Sequence, residues 1–257
     1  SVEFPSSDGQ PVQAWLGQPA GEGPFPTVID VHGGPPTVTT NEYSAMSQAW
    51  LDHGFAYLAI NYRGSITFGR AFEEKIWGRP GYWEVEDIVA ARGALLDRGI
   101  ARPDQVLLSG WSYGGYLTLQ AMGKYPDLWA GGMAGLAIVD WAASYELSSD
   151  VLRGYQLSLF DGRPEDKPEQ YAESSPITHV SNVKAPVLVI QGRTDTRTPA
   201  QPVLDYEARM RAAGKSIDVH WFEGGHMEAM LQSDLAICFF ERMRDFARQA
   251  TGSSAAG

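Results

Sequence analysis

Short apolar runs alternate with longer segments of helical periodicity along most of the chain. The runs predict strands at 27–31, 55–60, 106–108, 129–134, 186–190 and 217–222. Apolar residues three or four positions apart predict helices at 41–53, 84–98, 113–124, 200–213 and 229–249. Nearly continuous apolar strands separated by helices are typical of a mostly parallel sheet that is covered by helices on both faces. The predicted fold class is therefore α/β.

Two segments depart from this alternation. Residues 2–4 and 12–16 predict an antiparallel hairpin, because the turn-forming run Ser6–Gly9 separates them. Residues 140–180 are rich in serine, proline and acidic side chains, and they predict a cap-like insertion of short helices above the strand ends. The tail from Thr251 onward is small and polar and is expected to fray. With no internal repeat, residues 1–257 are expected to form one catalytic domain.

The net charge of −11 narrows the possible partners. It argues against a nucleic-acid partner and against an anionic membrane surface, both of which favour basic proteins. No apolar run reaches the roughly 18 residues of a membrane span. Cys238 is the single cysteine, so no intrachain disulfide forms, which fits a cytoplasmic location. Its apolar neighbours predict that it is buried.

The sharpest chemical signal is the run Gly110-Trp111-Ser112-Tyr113-Gly114. It follows a strand and precedes a helix, as a nucleophile elbow requires. The two glycines leave room for a sharp turn that raises the Ser112 hydroxyl above the sheet at a helix N-terminus. The motif alone is equally compatible with an ordinary strand-to-helix turn that a serine caps.

Two later residues complete the chemistry that a serine nucleophile needs. Asp195 follows the strand 186–190, and His226 follows the strand 217–222 after two glycines. The order serine, acid, histidine, each after a strand, predicts a catalytic triad in which His226 is the base and Asp195 orients it. Taken singly, Asp195 is equally well a loop cap and His226 a surface residue. Five other histidines and aspartates do not follow a strong strand after Ser112, and we interpret them as structural. They are His53, His179, His220, Asp140 and Asp150.

Acyl transfer also needs backbone N–H groups that meet the charge on the carbonyl oxygen. We expect the N–H of Tyr113 to be one donor and that of Gly34 to be the other. Gly34 lies in the run His32-Gly33-Gly34-Pro35-Pro36, directly after the strand that ends at Val31. A plain glycine-proline turn is the alternative. No metal-ligand spacing or dinucleotide fingerprint is present, so neither a metal nor a cofactor is expected.

Together these motifs resemble the catalytic domain of the prolyl oligopeptidase family of serine peptidases, especially its acylaminoacyl-peptidase branch. The run Asn61-Tyr62-Arg63-Gly64-Ser65 and the run from Gly192 to Pro199 add to the likeness. The resemblance implies an α/β-hydrolase fold, with Ser112, Asp195 and His226 as the triad and Tyr113 and Gly34 as oxyanion donors. It also places Arg197 at the rim of the site, as either a substrate contact or a loop-fixing ion pair.

Members of this family usually carry an N-terminal β-propeller, and no propeller repeats are present here. The chain is therefore expected to be either an excised or processed catalytic part or a stand-alone hydrolase, with a propeller or a second copy as possible partner. The leading functional hypothesis is a peptidase that releases short peptides or N-acylated amino acids. A carboxylesterase acting on small acyl esters is the alternative, and a non-catalytic binding module is a third.

Overall fold

The computed structural model describes residues 1–253, and residues 254–257, the end of the tail that was expected to fray, lie outside the described residues. Its eight strands form one sheet, and they are β1 (Val2–Pro5), β2 (Pro11–Gly17), β3 (Phe25–Val31), β4 (Ala56–Asn61), β5 (Ala101–Trp111), β6 (Gly131–Gly135), β7 (Val187–Gly192) and β8 (Ile217–Phe222). The strand order is β1-β2-β4-β3-β5-β6-β7-β8. The hairpin β1–β2 is antiparallel to its neighbours, and β3 to β8 are parallel, as predicted.

Ten α-helices lie within the described residues. They are α1 (Ala45–Asp52), α2 (Arg70–Glu73), α3 (Trp83–Asp97), α4 (Tyr113–Lys124), α5 (Trp141–Leu147), α6 (Asp150–Phe160), α7 (Pro168–Glu173), α8 (Ala200–Ala212), α9 (His226–Leu231) and α10 (Ser233–Thr251). Two 3₁₀ segments follow α2 and α7, at Glu74–Ile76 and Pro176–Asn182. Helices α5, α6 and α7 lie between β6 and β7, where the sequence predicted short helices.

Alternate residues of the strands enter two apolar layers. On one face of the sheet, Ile29 and Leu108 belong to the core that α3, α4 and α8 cover. On the other face, Val28 and Leu107 belong to a smaller core that α1 and α10 cover. This arrangement confirms the predicted sheet with helices on both faces. No helix within the described residues is long and apolar enough to cross a membrane.

The C-terminal helical segment differs from the prediction in two ways. The predicted helix 229–249 is two helices, because Gln232 between α9 and α10 has an extended backbone. The prediction that Cys238 is buried is wrong, since its side chain is exposed. Helix α10 buries Phe239, Met243 and Ala247, four residues apart on one face, and Cys238 lies about 100° around the helix from Phe239.

Candidate active site

Ser112 occupies the turn between β5 and α4 in an unusual backbone conformation. Its φ is 57° and its ψ is −118°, a region that non-glycine residues rarely enter. The turn is held from both sides, because the Ser112 N–H donates to the Gly135 carbonyl at 2.8 Å and the Ser112 carbonyl accepts from Tyr116 at 3.0 Å. Such a backbone persists only where the surrounding structure enforces it, and it is typical of a functional residue.

The glycines on either side of Ser112 are required by close backbone contacts. A Cβ atom on Gly114 would overlap the carbonyl oxygen of Val31 at the end of β3. A Cβ atom on Gly110 would overlap the backbone of Gly114 across the turn. The sequence argument that both positions exclude side chains therefore agrees with the structure.

Asp195 lies in the loop that follows β7, and all its hydrogen-bond partners come from that loop or from His226. Its Oδ1 accepts from the N–H groups of Arg197 at 2.8 Å and Thr198 at 3.0 Å. Its Oδ2 accepts from the Thr198 hydroxyl and from His226 Nδ1, both at 2.8 Å. Burial alone would raise the pKa of Asp195, but these hydrogen bonds, led by that of His226, lower it below its usual value. Asp195 is therefore an ionised, fixed acceptor.

His226 is the first residue of α9 and is buried. The turn before it is held by Glu228, whose carboxylate accepts from the Gly225 N–H at 3.1 Å. Because Nδ1 is held by Asp195, Nε2 is the ring nitrogen that remains to exchange a proton. This is the arrangement of a base that a carboxylate orients.

Register brings the three side chains to one edge of the sheet. Trp111, just before Ser112, pairs with Gly135 on β6, while Gly192 at the end of β7 pairs with Phe222 at the end of β8. The loops that carry Ser112, Asp195 and His226 thus leave the carboxyl ends of neighbouring parallel strands, where α/β proteins place their sites.

The glycine-rich loop after β3 passes beside Ser112. A Cβ atom on Gly33 would lie 3.4 Å from the Cβ of Ser112 and 3.0 Å from the carbonyl oxygen of Trp111. The loop is held from behind by the half-buried ring of His32, whose Nε2 lies 2.8 Å from the Ser65 hydroxyl. Burial lowers the pKa of His32 to about 4, so the ring is neutral and serves the loop as a structural contact.

A cavity of about 300 Å³ opens in front of Ser112. Gly34, Tyr113 and Arg197, all of which the sequence placed at the site, line it together with Ser112. Its remaining described walls are Pro36, Ile138, Trp141, Ser144, Leu152, Tyr155, Gln156 and Thr198. Helices α5 and α6 of the insertion therefore supply much of the wall, and we call this space the substrate cavity.

Aromatic and apolar side chains on α4 and α5 do not all reach the substrate cavity. Tyr116 is fully buried in the core, and neither Tyr145 nor Leu147 lines the substrate cavity. Tyr145 and Leu147 lie on α5 with Trp141 and Ser144, which do line it, and Leu147 lies about 120° around the helix from Trp141. Leu152, Tyr155 and Gln156 of α6 were missed, because the sequence does not show which face of α6 packs toward Ser112.

Glu84 is the site residue that sequence reasoning missed altogether. It is fully buried in α3, and its Oε1 accepts from the Tyr113 hydroxyl at 2.7 Å, while both oxygens lie 3.0 Å from the Gly81 N–H. Burial raises its pKa to about 7, and the charge of the nearby Asp87 adds to the rise. Glu84 therefore supports the ring of Tyr113, which follows Ser112, from behind the wall of the substrate cavity.

The rest of the described chain offers no competing catalytic cluster. No group of three or more histidine, cysteine, aspartate or glutamate side chains within residues 1–253 has metal-binding geometry. A larger depression of about 700 Å³ lies along β7, β8 and α10, but no triad residue lines it. The alternative residues also lie outside the described wall of the substrate cavity, namely His53, His179, His220, Asp140 and Asp150.

Comparison with known proteins agrees with this geometry. The sequence model described as "Prolyl oligopeptidase family" matches residues 41–254. Acylamino-acid-releasing enzyme 2 of Oryza sativa subsp. japonica is 31% identical over 209 residues, which are 77% of this chain and 27% of that protein. Dipeptidyl aminopeptidase BIII of Pseudoxanthomonas mexicana is 28% identical over 281 residues, covering 98% of this chain and 40% of that protein.

A similar fold is present in a solved structure. The puromycin-hydrolyzing peptidase of Mycobacterium tuberculosis superimposes on the whole of this chain with a TM-score of 0.93 at 27% identity, and the match covers 40% of that protein. The chain thus spans about a quarter to two fifths of the length of these relatives. The likeness confirms the α/β-hydrolase fold that the motifs implied.

Proposed function

Since the chain belongs to the prolyl oligopeptidase family, we propose that it is the catalytic part of a serine peptidase that releases short peptides or N-acylated amino acids. The observation that carries the proposal is the buried hydrogen bond of 2.8 Å between His226 and Asp195, in loops that leave the same edge of the sheet as the strained turn of Ser112. None of the relatives described above supports a carboxylesterase over a peptidase.

The reaction follows from these positions. The Ser112 hydroxyl oxygen attacks the substrate carbonyl carbon while His226 Nε2 takes the hydroxyl proton, and the Asp195 carboxylate stabilises the resulting imidazolium. His226 then donates that proton to the leaving amine, which departs and leaves an acyl ester on Ser112. A water molecule, deprotonated in turn by His226, hydrolyses the ester and restores the serine.

The Tyr113 and Gly34 N–H groups are the proposed donors to the oxyanion. Tyr113 is the first residue of α4, where N–H groups are free and the helix dipole favours negative charge. Gly34 lines the substrate cavity in a loop that passes beside the Ser112 Cβ. Donors that are fixed before the reaction stabilise the transition state by about 3 kcal/mol each.

The charge and polarity of the substrate cavity favour a substrate whose amino terminus is blocked by an acyl group. Its wall is largely apolar, through side chains such as Trp141, Leu152 and Tyr155. Among its described lining residues Arg197 is the only charged one, so the cavity offers no carboxylate to a free α-ammonium group. Arg197 forms no ion pair within residues 1–253, which supports its role as a donor to substrate carbonyl oxygens rather than a loop-fixing contact.

The test combines active-site labelling with paired substrates. We expect a fluorophosphonate to label wild type, to label a Ser181→Ala control equally, and to leave Ser112→Ala unlabelled. Ser181 is exposed, and within residues 1–253 its hydroxyl donates only to the side chain of the adjacent Asn182. Acetyl-phenylalanine p-nitroanilide should be cleaved at least tenfold faster, by kcat/KM, than the anilide with a free amino group. Cleavage of a p-nitrophenyl ester alone would favour the carboxylesterase, and an unlabelled wild type would contradict a catalytic role.

The relatives are longer than this chain, and their unmatched part suggests what could cover the exposed apolar side chains of this one. Apolar side chains on the helices around the substrate cavity are exposed, including Val151 at 81% and Leu231 at 73%. We propose that a further propeller domain covers them, with a second copy of this chain as the alternative. Light scattering that finds a dimer which Val151→Asp dissociates would favour the second copy. A cytoplasmic location stays a prediction, supported by the single cysteine.

A further inference from the structure

A second cavity lies behind the nucleophile turn, on the opposite face of the sheet from the substrate cavity. Its volume is about 270 Å³. Asp30 of β3, Tyr57 of β4 and Ser109 of β5 form its floor, and α1, α9 and α10 form its roof. Trp111, the residue before Ser112, is part of its wall. We call this space the rear cavity.

Asp30 is a carboxylate that the fold leaves without a cation. Ser109 is its register partner on β5, and the hydroxyl groups of Ser109 and Tyr57 face it. Within the part of the chain that the structure describes, no basic side chain forms an ion pair with Asp30. Burial raises its pKa to about 6, so above that pH the rear cavity holds a negative charge with only neutral neighbours. A carboxylate without a counter-ion in the wall of a largely apolar cavity is costly and attracts a cation.

The walls of the rear cavity suit an organic cation rather than a hydrated metal ion. The rings of Trp111 and Phe239 lie with centroids 5.7 Å apart, and the thioethers of Met46 and Met243 add soft apolar surface. Aromatic faces attract ammonium groups, and thioethers pack well against aromatic ligands. The volume lies just below that of drug-sized ligand pockets, which limits an occupant to a few carbon atoms or one ring.

We propose that the rear cavity is a binding site for a small organic ammonium ion that carries one apolar or aromatic group, with Asp30 as its anionic partner. The site is separate from the substrate cavity, since the sheet lies between them and the two share no described lining residue. Two of its lining residues lie close in sequence to the active site. Trp111 directly precedes Ser112, and Ala229 of α9 follows His226 by three residues.

Calorimetric titration with benzylammonium, against its uncharged analogue benzyl alcohol, tests the proposal. At pH 8 we expect benzylammonium to bind at least tenfold more tightly than the alcohol, and Asp30→Asn to remove that preference. Lowering the pH from 8 to 5 should weaken wild-type binding about tenfold, because Asp30 takes up a proton. Tyr57 is the only other titratable group among the described lining residues, and its pKa lies well above 10, so it does not contribute.

A second variant keeps the test valid if Asp30→Asn fails to fold. Ala236 is exposed on α10 at the rim of the rear cavity, so Ala236→Trp should fill the opening and abolish binding. Ala212 is exposed at the end of α8, away from the rear cavity, so Ala212→Trp is the matched control and should bind as wild type does. Equal affinity in wild type and Ala236→Trp, equal affinity for amine and alcohol, or no binding by wild type would each overturn the proposal.

Discussion

The charge of Glu84 should make the stability of this protein depend on pH in an identifiable way. The carboxyl group is fully buried in α3, and burial raises its pKa from 4.5 to about 7, with the nearby Asp87 carboxylate adding to the rise. A folded-state pKa above the unfolded value means that the folded protein holds this proton more tightly. The group therefore favours folding at low pH, and its contribution is lost as the pH rises from about 4.5 through 7.

The size of the effect follows from the shift. Each pKa unit corresponds to about 1.4 kcal/mol, so the rise from 4.5 to about 7 corresponds to about 3 kcal/mol of folding free energy. Of this, about 2–3 kcal/mol is lost when the pH is raised from 5 to 8. Glu84→Gln cannot titrate, but its carbonyl oxygen can still accept from Tyr113. The variant should therefore gain that much stability relative to wild type as the pH is raised.

Urea unfolding of both proteins at pH 5, 6, 7 and 8 measures this difference, and comparing the two removes the contribution of every other titrating group. Glu42→Gln is the control, because Glu42 lies on an exposed loop and forms no ion pair in the described chain. Parallel stability curves for wild type and Glu84→Gln, within about 0.5 kcal/mol, would refute the reasoning that Glu84 is held protonated near neutral pH.

Three further substitutions test the site. Gly114→Ala should destabilise the fold and abolish labelling of Ser112, since its Cβ overlaps the backbone of β3, whereas Gly93→Ala in open space on α3 should stabilise by about 0.5–1 kcal/mol in the same urea assay; a folded, labelled Gly114→Ala would contradict the steric argument. Asp195→Asn should lower kcat about 10⁴-fold with unchanged folding, and a loss below tenfold would remove Asp195 from the triad. Arg197→Gln should raise KM for the acetylated anilide about tenfold with little change in kcat, while Arg193→Gln, whose side chain pairs with Glu223, should not.

The parts of the fold that the sequence predicted are those in which a local rule and the tertiary structure agree. The apolar run that became β7 is buried on both faces, so its continuous hydrophobicity carries the signal directly. The turn at Ser112 is marked by a contiguous motif, and within it the backbone of Gly114 already excludes a side chain on Gly110. The expected family is confirmed for the same reason, since the motifs that define it are short and contiguous.

The failures occur where partners are distant in sequence. Glu84 is an ordinary helical glutamate until α4 places Tyr113 against it, 29 residues later. Asp30 interrupts an apolar strand, and only the neighbouring strands show that a cavity receives it. Cys238 was placed in the core because its segment is apolar on every side, although α10 has a single buried face. Composition predicts that a segment is buried, but packing decides which face is.

The glycine-rich strand β6 connects these observations, because its weak strand signal is a consequence of the site. The Trp111 ring lies directly over Gly135, and a Cβ there would overlap the indole. On the other face, a Cβ on Gly132 would lie 2.9 Å from Met122 of α4. The helix that begins with Tyr113 and the indole that walls the rear cavity can therefore both approach the sheet only where β6 has no side chains. Low strand propensity at β6 thus permits the close packing that holds Ser112 in its strained conformation.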